Sequence, residues 1–129
     1  RFRYSLRAHE GGYRGAEAVG FARSAATPLR SKIGRLAAST NAAPRIEIDA
    51  ARAVATCLKP PDDPQAGGMV LRVWETAGRD GPLRIGVSGF EQVLATDLLE
   101  RDRTPLAIRE GAVEVKLGPH GYAAVRLTP

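Results

Sequence analysis

The chain has 129 residues, of which 43% are hydrophobic and 26% are charged, and its formal net charge is +5. This balance is typical of a globular domain and argues against long disorder. No apolar run approaches the roughly 20 residues that a helix needs to cross a bilayer. The basic residues are scattered along the chain and aromatic residues make up only 5% of it, so the composition argues against a nucleic-acid-binding surface.

The first 43 residues predict one strand, one helix and a linker. Apolar residues alternate with arginine and serine over residues 2–8, which is the period of a half-buried strand. Residues 15–26 are rich in alanine and predict a short helix that ends before Pro28. Residues 30–44 contain glycine, proline, serine, threonine and asparagine without a clean periodicity, so we expect a linker or a long crossover there.

From residue 44 onward, short strand-like runs are separated by turns rich in glycine and proline. The runs that predict strands are 46–48, 54–58, 69–76, 83–87, 113–117 and 122–127. The run at 69–76 is apolar on both faces, as expected of a central strand, and residues 59–68 predict a loop. Short strands at this spacing predict a mostly β fold, namely an antiparallel β-sandwich with one short N-terminal helix.

One segment allows two interpretations. Phe90, Val93, Leu94 and Leu98 follow helical spacing, whereas residues 93–99 also fit a strand. Periodicity alone favours a helix slightly, so both structures stay open at this point.

The sequence offers few groups with catalytic or metal-binding potential. The Gly-Val-Ser-Gly sequence around Ser88 lacks one residue of the Gly-x-Ser-x-Gly nucleophile motif, so we interpret Ser88 as a turn residue. His9 and His120 lie far apart without zinc-ligand spacing. We expect His9 to pack or hydrogen-bond at a strand end and His120 to lie in a turn. Asp62 and Asp63 are adjacent, whereas a glycosidase pair needs carboxyl groups that converge across a sugar, roughly 5–10 Å apart. Neighbouring residues usually point apart, so we interpret both aspartates as parts of a solvated loop.

Two further side chains are interpreted as structural. Trp74 could stack on a sugar, but its position within residues 69–76 favours the core. Cys57, the only cysteine, is predicted to be a buried, unreactive thiol. A single cysteine cannot form an intrachain disulfide and fits a reducing, cytoplasmic compartment.

Several motifs follow one another in a fixed order between residues 6 and 127. The sequences LRAHEGG (6–12) and TPL (27–29) flank the predicted helix. The first is similar to a strand that ends in Pro-His-x-Gly, with Ala8 in place of the proline, and the second is similar to Asn-x-Pro-Leu. Residues 54–60 match a valine-rich strand that ends in Leu-Lys, and residues 69–78 match an apolar-Arg-apolar-aromatic-Glu-x-x-Gly strand. Residues 96–100 match an Asp/Asn-Leu-Leu-Glu sequence, and residues 113–127 match a closing pair of strands. The series resembles the C-terminal region of the glycoside hydrolase family 38 α-mannosidases.

This resemblance implies a division of the chain between residues 43 and 44. Residues 1–43 would correspond to the end of a preceding large β domain, and residues 44–129 to the C-terminal β-sandwich domain. The resemblance also implies that the ambiguous segment at 93–99 is a strand. Because the chain begins with Arg1 rather than methionine, we expect it to be an excised piece of a longer protein.

The resemblance further implies a supporting role rather than a catalytic one. Family 38 α-mannosidases hold zinc and the aspartate nucleophile of their retaining mechanism in a separate N-terminal α/β domain. We therefore assign no catalytic, cofactor-binding or metal-binding residue to this chain, and zinc is implied only for that absent domain. The expected partners are the other domains of the parent enzyme and, through the whole enzyme, an α-mannoside; no nucleic acid or membrane is expected.

Two alternatives come from other functional classes. The first is an independent carbohydrate- or protein-binding module, which would expose Trp74 or Tyr122 as an aromatic platform; a buried Trp74 would oppose it. The second is a free-standing enzyme, which the missing constellation of catalytic residues disfavours.

Overall fold

The computed structural model describes residues 4–27, 44–101 and 104–129. Within these residues the chain forms one helix and eight strands. The elements are α1 (Gly15–Ala26), β1 (Arg45–Ile48), β2 (Ala53–Lys59), β3 (Met69–Glu75), β4 (Gly81–Ser88), β5 (Gln92–Thr96), β6 (Thr104–Leu106), β7 (Ala112–Leu117) and β8 (Tyr122–Thr128). The predicted helix is confirmed with the same bounds. In the described ranges, no helix has the length and apolar content needed to span a membrane.

The strands form two antiparallel sheets that pack face to face, which confirms the predicted β-sandwich. One sheet has three strands in the order β1-β4-β7, and the other has five in the order β2-β3-β8-β5-β6. We call the side of each sheet that faces the other sheet its inner face, and the opposite side its outer face. Alternation along each strand places the apolar residues of both sheets on their inner faces, where they share one core.

The core is built largely from residues in the strands that the sequence predicted. Each of these side chains is almost completely removed from water, and each burial contributes on the order of 2 kcal/mol. They include Leu83, Ile85, Val87, Val113, Val115 and Leu117 from the smaller sheet and Leu71, Val73, Val93, Val125 and Leu127 from the larger. The prediction of a central strand at 69–76 is also confirmed, because β3 lies between β2 and β8.

The predicted strand at residues 2–8 is wrong in its described part. Residues 4–9 form no strand, and Tyr4 and Leu6 are almost fully exposed. An alternating sequence becomes a strand only when a neighbouring backbone takes up its hydrogen bonds, and no described residue pairs with this segment. The predicted linker at 30–44 lies outside the described residues except for Pro44.

The ambiguous segment contains a strand, as the family resemblance implied, but a shorter one than expected. β5 pairs with β8 on one side and β6 on the other, and the chain turns after Thr96. Val93 and Leu94 are both buried although they point to opposite faces. Consecutive buried residues break the strand alternation, so the apolar spacing resembled that of a helix. The short strand β6 was not predicted, because three residues that include Pro105 carry little periodic signal.

The loop before β3 contains two consecutive glycines in different surroundings. Both have a positive φ, +63° at Gly67 and +77° at Gly68. A Cβ atom on Gly68 would lie 2.2 Å from the carbonyl oxygen of Leu127, whereas a Cβ on Gly67 would meet nothing within 4 Å. An alanine at Gly67 would therefore cause backbone strain alone, whereas an alanine at Gly68 would cause backbone strain and a steric clash.

We expect Gly68→Ala to lower the free energy of unfolding by about 3 kcal/mol, because left-handed strain and overpacking add. Gly67→Ala carries only the strain and should cost about 1 kcal/mol. Urea unfolding at pH 7 measures both values. Equal losses for the two variants would contradict the close approach of the loop to β8.

Candidate functional site

Three charged side chains meet on the outer face of the five-stranded sheet. Lys59 ends β2, Arg72 lies in β3, and Glu100 belongs to the turn after β5. The carboxylate of Glu100, a residue only 8% exposed, accepts hydrogen bonds from Lys59 Nζ at 2.7 Å, from Arg72 Nη2 at 3.1 Å and from the Asp62 N–H at 2.8 Å. We call Lys59, Arg72 and Glu100 the ion cluster. It ties the loop after β2 and the turn after β5 to β3.

The turn after β5 delivers Glu100 to this position through local hydrogen bonds. Asp97 Oδ1 accepts the N–H of Leu99 and the N–H of Arg101, both at 2.8 Å, as an aspartate in a turn commonly does. Leu98 contributes its carbonyl oxygen to Arg72 Nη2 at 2.9 Å. As a result Glu100 faces the sheet while Leu98 and Leu99 are more than half exposed.

Lys59 and Glu100 hold each other in their charged forms within the ion cluster. The hydrogen bond from Lys59 and then the Asp62 N–H lower the pKa of Glu100, against the opposing effect of burial. The pKa of Lys59 is raised by its hydrogen bonds to Asp62 and Glu100. A carboxylate held in its charged form by several donors is a poor general acid near neutral pH. The geometry of the cluster therefore favours a structural role.

A second buried carboxylate fixes the turns at the other end of β3. Glu75 is fully buried, and its oxygens accept the N–H groups of Ala77 at 3.1 Å, Gly78 at 2.7 Å and His120 at 3.0 Å. Burial would raise the pKa of Glu75, but the backbone N–H donors, including that of Arg79, outweigh it and lower the pKa. Glu75 thus joins the β3–β4 turn to the β7–β8 turn.

Gly78 lies where these two turns touch. Its φ is +72°, and a Cβ atom there would lie 3.1 Å from Nε2 of His120. The Glu-x-x-Gly sequence of residues 75–78 therefore has a structural explanation. The glutamate caps the turn, and the glycine permits both the left-handed backbone and the contact with the histidine ring.

Trp74 and Tyr122 form a stacked aromatic pair on the outer face of the five-stranded sheet. Their ring centroids are 5.7 Å apart with an interplanar angle of 6°, and Trp74 Nε1 donates to the carbonyl oxygen of His120 at 3.2 Å. The prediction that Trp74 lies in the core is wrong. It is half-buried on the face opposite to the core residue Val73, and Tyr122 is 56% exposed.

The aspartates and histidines considered from sequence do not converge. Asp62 pairs with Lys59, and Asp63 accepts the N–H of Gln65 at 2.9 Å within the same loop. His9 is exposed in the segment before α1, where it ends no strand, and His120 lies in the β7–β8 turn as predicted. Within the described ranges, no group of three or more His, Cys, Asp or Glu side chains is placed to hold a metal ion.

The structure also tests the predictions for Ser88 and Cys57. Ser88 is the exposed last residue of β4, next to the turn at Gly89, which agrees with its interpretation as a turn serine. Cys57 is half-buried rather than buried, because it follows a bulge in β2 on the outer face of the sheet.

The ion cluster and Glu75 are not among the candidate site residues that the sequence predicted. The available signal was a lone arginine and a lone glutamate within the apolar run at 69–76. Charged residues inside a strand that is buried on both sides need partners. The sequence alone does not show that the partners of Arg72 come from residues 98 and 100.

Comparison with protein families agrees with the resemblance seen in the sequence. The family model described as "Glycosyl hydrolases family 38 C-terminal beta sandwich domain" matches residues 53–120. The matched part, just over half of the chain, runs from the start of β2 to the turn before β8. It includes Glu75 and the whole ion cluster. Comparisons with curated proteins and with solved structures each gave no match.

We expect Glu100→Gln to lower the free energy of unfolding by about 2 kcal/mol, because it removes the buried negative charge that Lys59 and Arg72 share. Asp62→Asn removes an exposed partner of the same lysine and should cost less than about 1 kcal/mol. Urea unfolding of both variants gives the comparison. A cost for Asp62→Asn as large as that for Glu100→Gln would show that burial does not set the strength of the cluster.

We expect acid to destabilise the fold through Glu75 and Glu100. Their folded-state pKa values lie below the ordinary 4.5, so the unfolded chain takes up these protons first as the pH falls. The stabilisation is complete above about pH 4.5 and is lost as the pH falls through the lowered pKa values. Unfolding free energies between pH 7 and 3 should show this loss, and Glu100→Gln should reduce it. An identical acid dependence in the variant would contradict this assignment.

Proposed function

This chain belongs to glycosyl hydrolase family 38 through its C-terminal β-sandwich domain, and we propose that it is a non-catalytic, supporting part of a zinc-dependent retaining α-mannosidase. The family match carries the proposal. It is strengthened by Glu75 and Glu100, whose oxygens are engaged by donors inside the domain. These groups hold turns in place, and their geometry leaves neither carboxylate free to attack or protonate a sugar.

In this proposal the division of labour follows the domains of the parent enzyme. The catalytic domain holds zinc and the aspartate nucleophile and hydrolyses the α-mannoside. The sandwich of residues 44–129 packs against the other domains and supports the architecture of the active site, and residues 1–43 connect it to the preceding β domain. We place the protein in the cytoplasm, where the single Cys57 would stay reduced.

A carbohydrate-binding module is a second candidate because of one observation. Tyr122 is more than half exposed and stacks on Trp74 at the surface, and exposed aromatic rings can serve as binding platforms. Two features weaken this candidate. Trp74 is half-buried, and its indole N–H is already bonded to the carbonyl oxygen of His120.

We expect the 129-residue chain to show no hydrolysis of an aryl α-mannoside with added zinc or cobalt, because the catalytic groups lie in another domain. The full-length parent should hydrolyse the same substrate under the same conditions. Release of the aryl group, followed by absorbance, measures both.

Two outcomes would contradict this proposal. The first is turnover by the 129-residue chain that survives repurification and is lost on mutation of one of its residues. The second is a saturable change in the fluorescence of Trp74, the only tryptophan, on titration with mannose. Loss of that change in Tyr122→Ala would favour the carbohydrate-binding module instead.

A further inference from the structure

The flank of the sandwich between β1 and β2 is open and lined by aliphatic side chains. A groove of about 410 Å³ lies there, with Ile46 and Ile48 on one wall, Ala55 and Leu58 on the other, and the core residue Leu71 at its floor. Leu58 faces the interior from β2 in register with Leu71, yet it is 53% exposed. No described residue therefore covers the apolar interior of the sandwich along this side.

Both strands beside the groove are sheet edges. Among the described residues, β1 pairs only with β4 and β2 pairs only with β3. The smaller sheet has three strands opposite five. An additional strand beside β1 would extend the smaller sheet and cover the groove.

The backbone groups at the edge of β1 can be assigned from register. The Val87 N–H donates to the carbonyl oxygen of Gly111, towards β7. N–H groups of alternate residues in an antiparallel strand point to opposite edges, so Gly86 and Ser88 bond towards β1. Their register partners are Glu47 and Arg45. The N–H and C=O groups of Ile46 and Ile48 therefore point to the open edge.

We propose that an extended segment from another domain of the parent polypeptide pairs with this edge of β1 and packs aliphatic side chains into the groove. The proposal rests on the proposed function, since it takes the other domains of the enzyme as the partner. Strand addition suits the site, because the edge supplies main-chain hydrogen bonds and the groove accepts alternate apolar side chains.

The upstream polypeptide reaches the same flank. Helix α1 lies beside β2, and Gly15 comes so close that a Cβ there would lie 2.8 Å from the carbonyl oxygen of Thr76. The segment that precedes the sandwich is thus held near β2, next to the groove. A partner from the same polypeptide therefore reaches this edge without a long connection.

The test compares hydrogen exchange in the full-length parent and in the 129-residue chain. Because the amides of Ile46 and Ile48 face the open edge, we expect the peptide that contains β1 to exchange at least tenfold more slowly in the parent. Leu58→Asp in the parent should remove this protection. Leu99→Asp is the matched control, because Leu99 is similarly exposed, at 62%, but lies in the turn after β5 and does not line the groove. It should leave the exchange of β1 unchanged.

Thermal unfolding of each variant in the 129-residue chain checks that it folds. If Leu58→Asp does not fold, Ala55→Gln replaces it, because Ala55 is exposed and its enlargement obstructs the groove. Equal exchange of β1 in parent and chain, or equal effects of Leu58→Asp and Leu99→Asp, would overturn the proposal. So would a dimer of the 129-residue chain that Leu58→Asp dissociates, because the occupant would then be a second copy.

These results are separable from the proposed function. Unprotected β1 amides in a parent that hydrolyses the α-mannoside would refute the docking surface alone. Hydrolysis by the 129-residue chain itself would refute the supporting role, whatever the exchange of β1.

Discussion

Two buried carboxylates that lie against β3 hold the connecting segments of the sandwich in place. Removing a carboxylate from water is costly unless hydrogen bonds and opposite charges replace its hydration. Glu75 meets this condition with backbone N–H groups, and Glu100 meets it with Lys59, Arg72 and one backbone N–H. Through these bonds four connecting segments are held against β3, which itself lies inside the larger sheet. The polar contacts therefore fix the loops, while the apolar core holds the sheets together.

Local sequence patterns predicted the strands that have one buried and one exposed face. In β4 the buried residues Leu83, Ile85 and Val87 alternate with residues that are small or polar, so alternation identified the strand. Periodicity misled at Val93 and Leu94, where both faces are covered, and at residues 4–8, with which no described residue pairs. The period of a sequence reports which faces are buried, and where both faces are buried periodicity alone does not decide between a helix and a strand.

The ion cluster could not be read from the sequence for a different reason. Lys59, Arg72 and Glu100 come from three separate segments, and they meet only because β2, β3, β8 and β5 are neighbours in one sheet. The family resemblance marked the motifs that contain them, but it did not show that the motifs touch. The structure explains the physical role of two of these motifs. The Asp-Leu-Leu-Glu sequence is a turn that brings Glu100 to its donors. In the Glu-x-x-Gly sequence, Glu75 ends β3 and accepts N–H groups of the turn that follows.

The position of β8 has a consequence for biosynthesis. This strand follows all the others in sequence, yet it lies in the middle of the five-stranded sheet, between β3 and β5. Because the ribosome synthesises the strands in order, the edges of β3 and β5 that pair with β8 remain unpaired until β8 has been synthesised. Pairing between segments so distant in sequence is slow, and unpaired edges promote aggregation. A nascent chain that stalls before β8 would be a natural substrate for a chaperone.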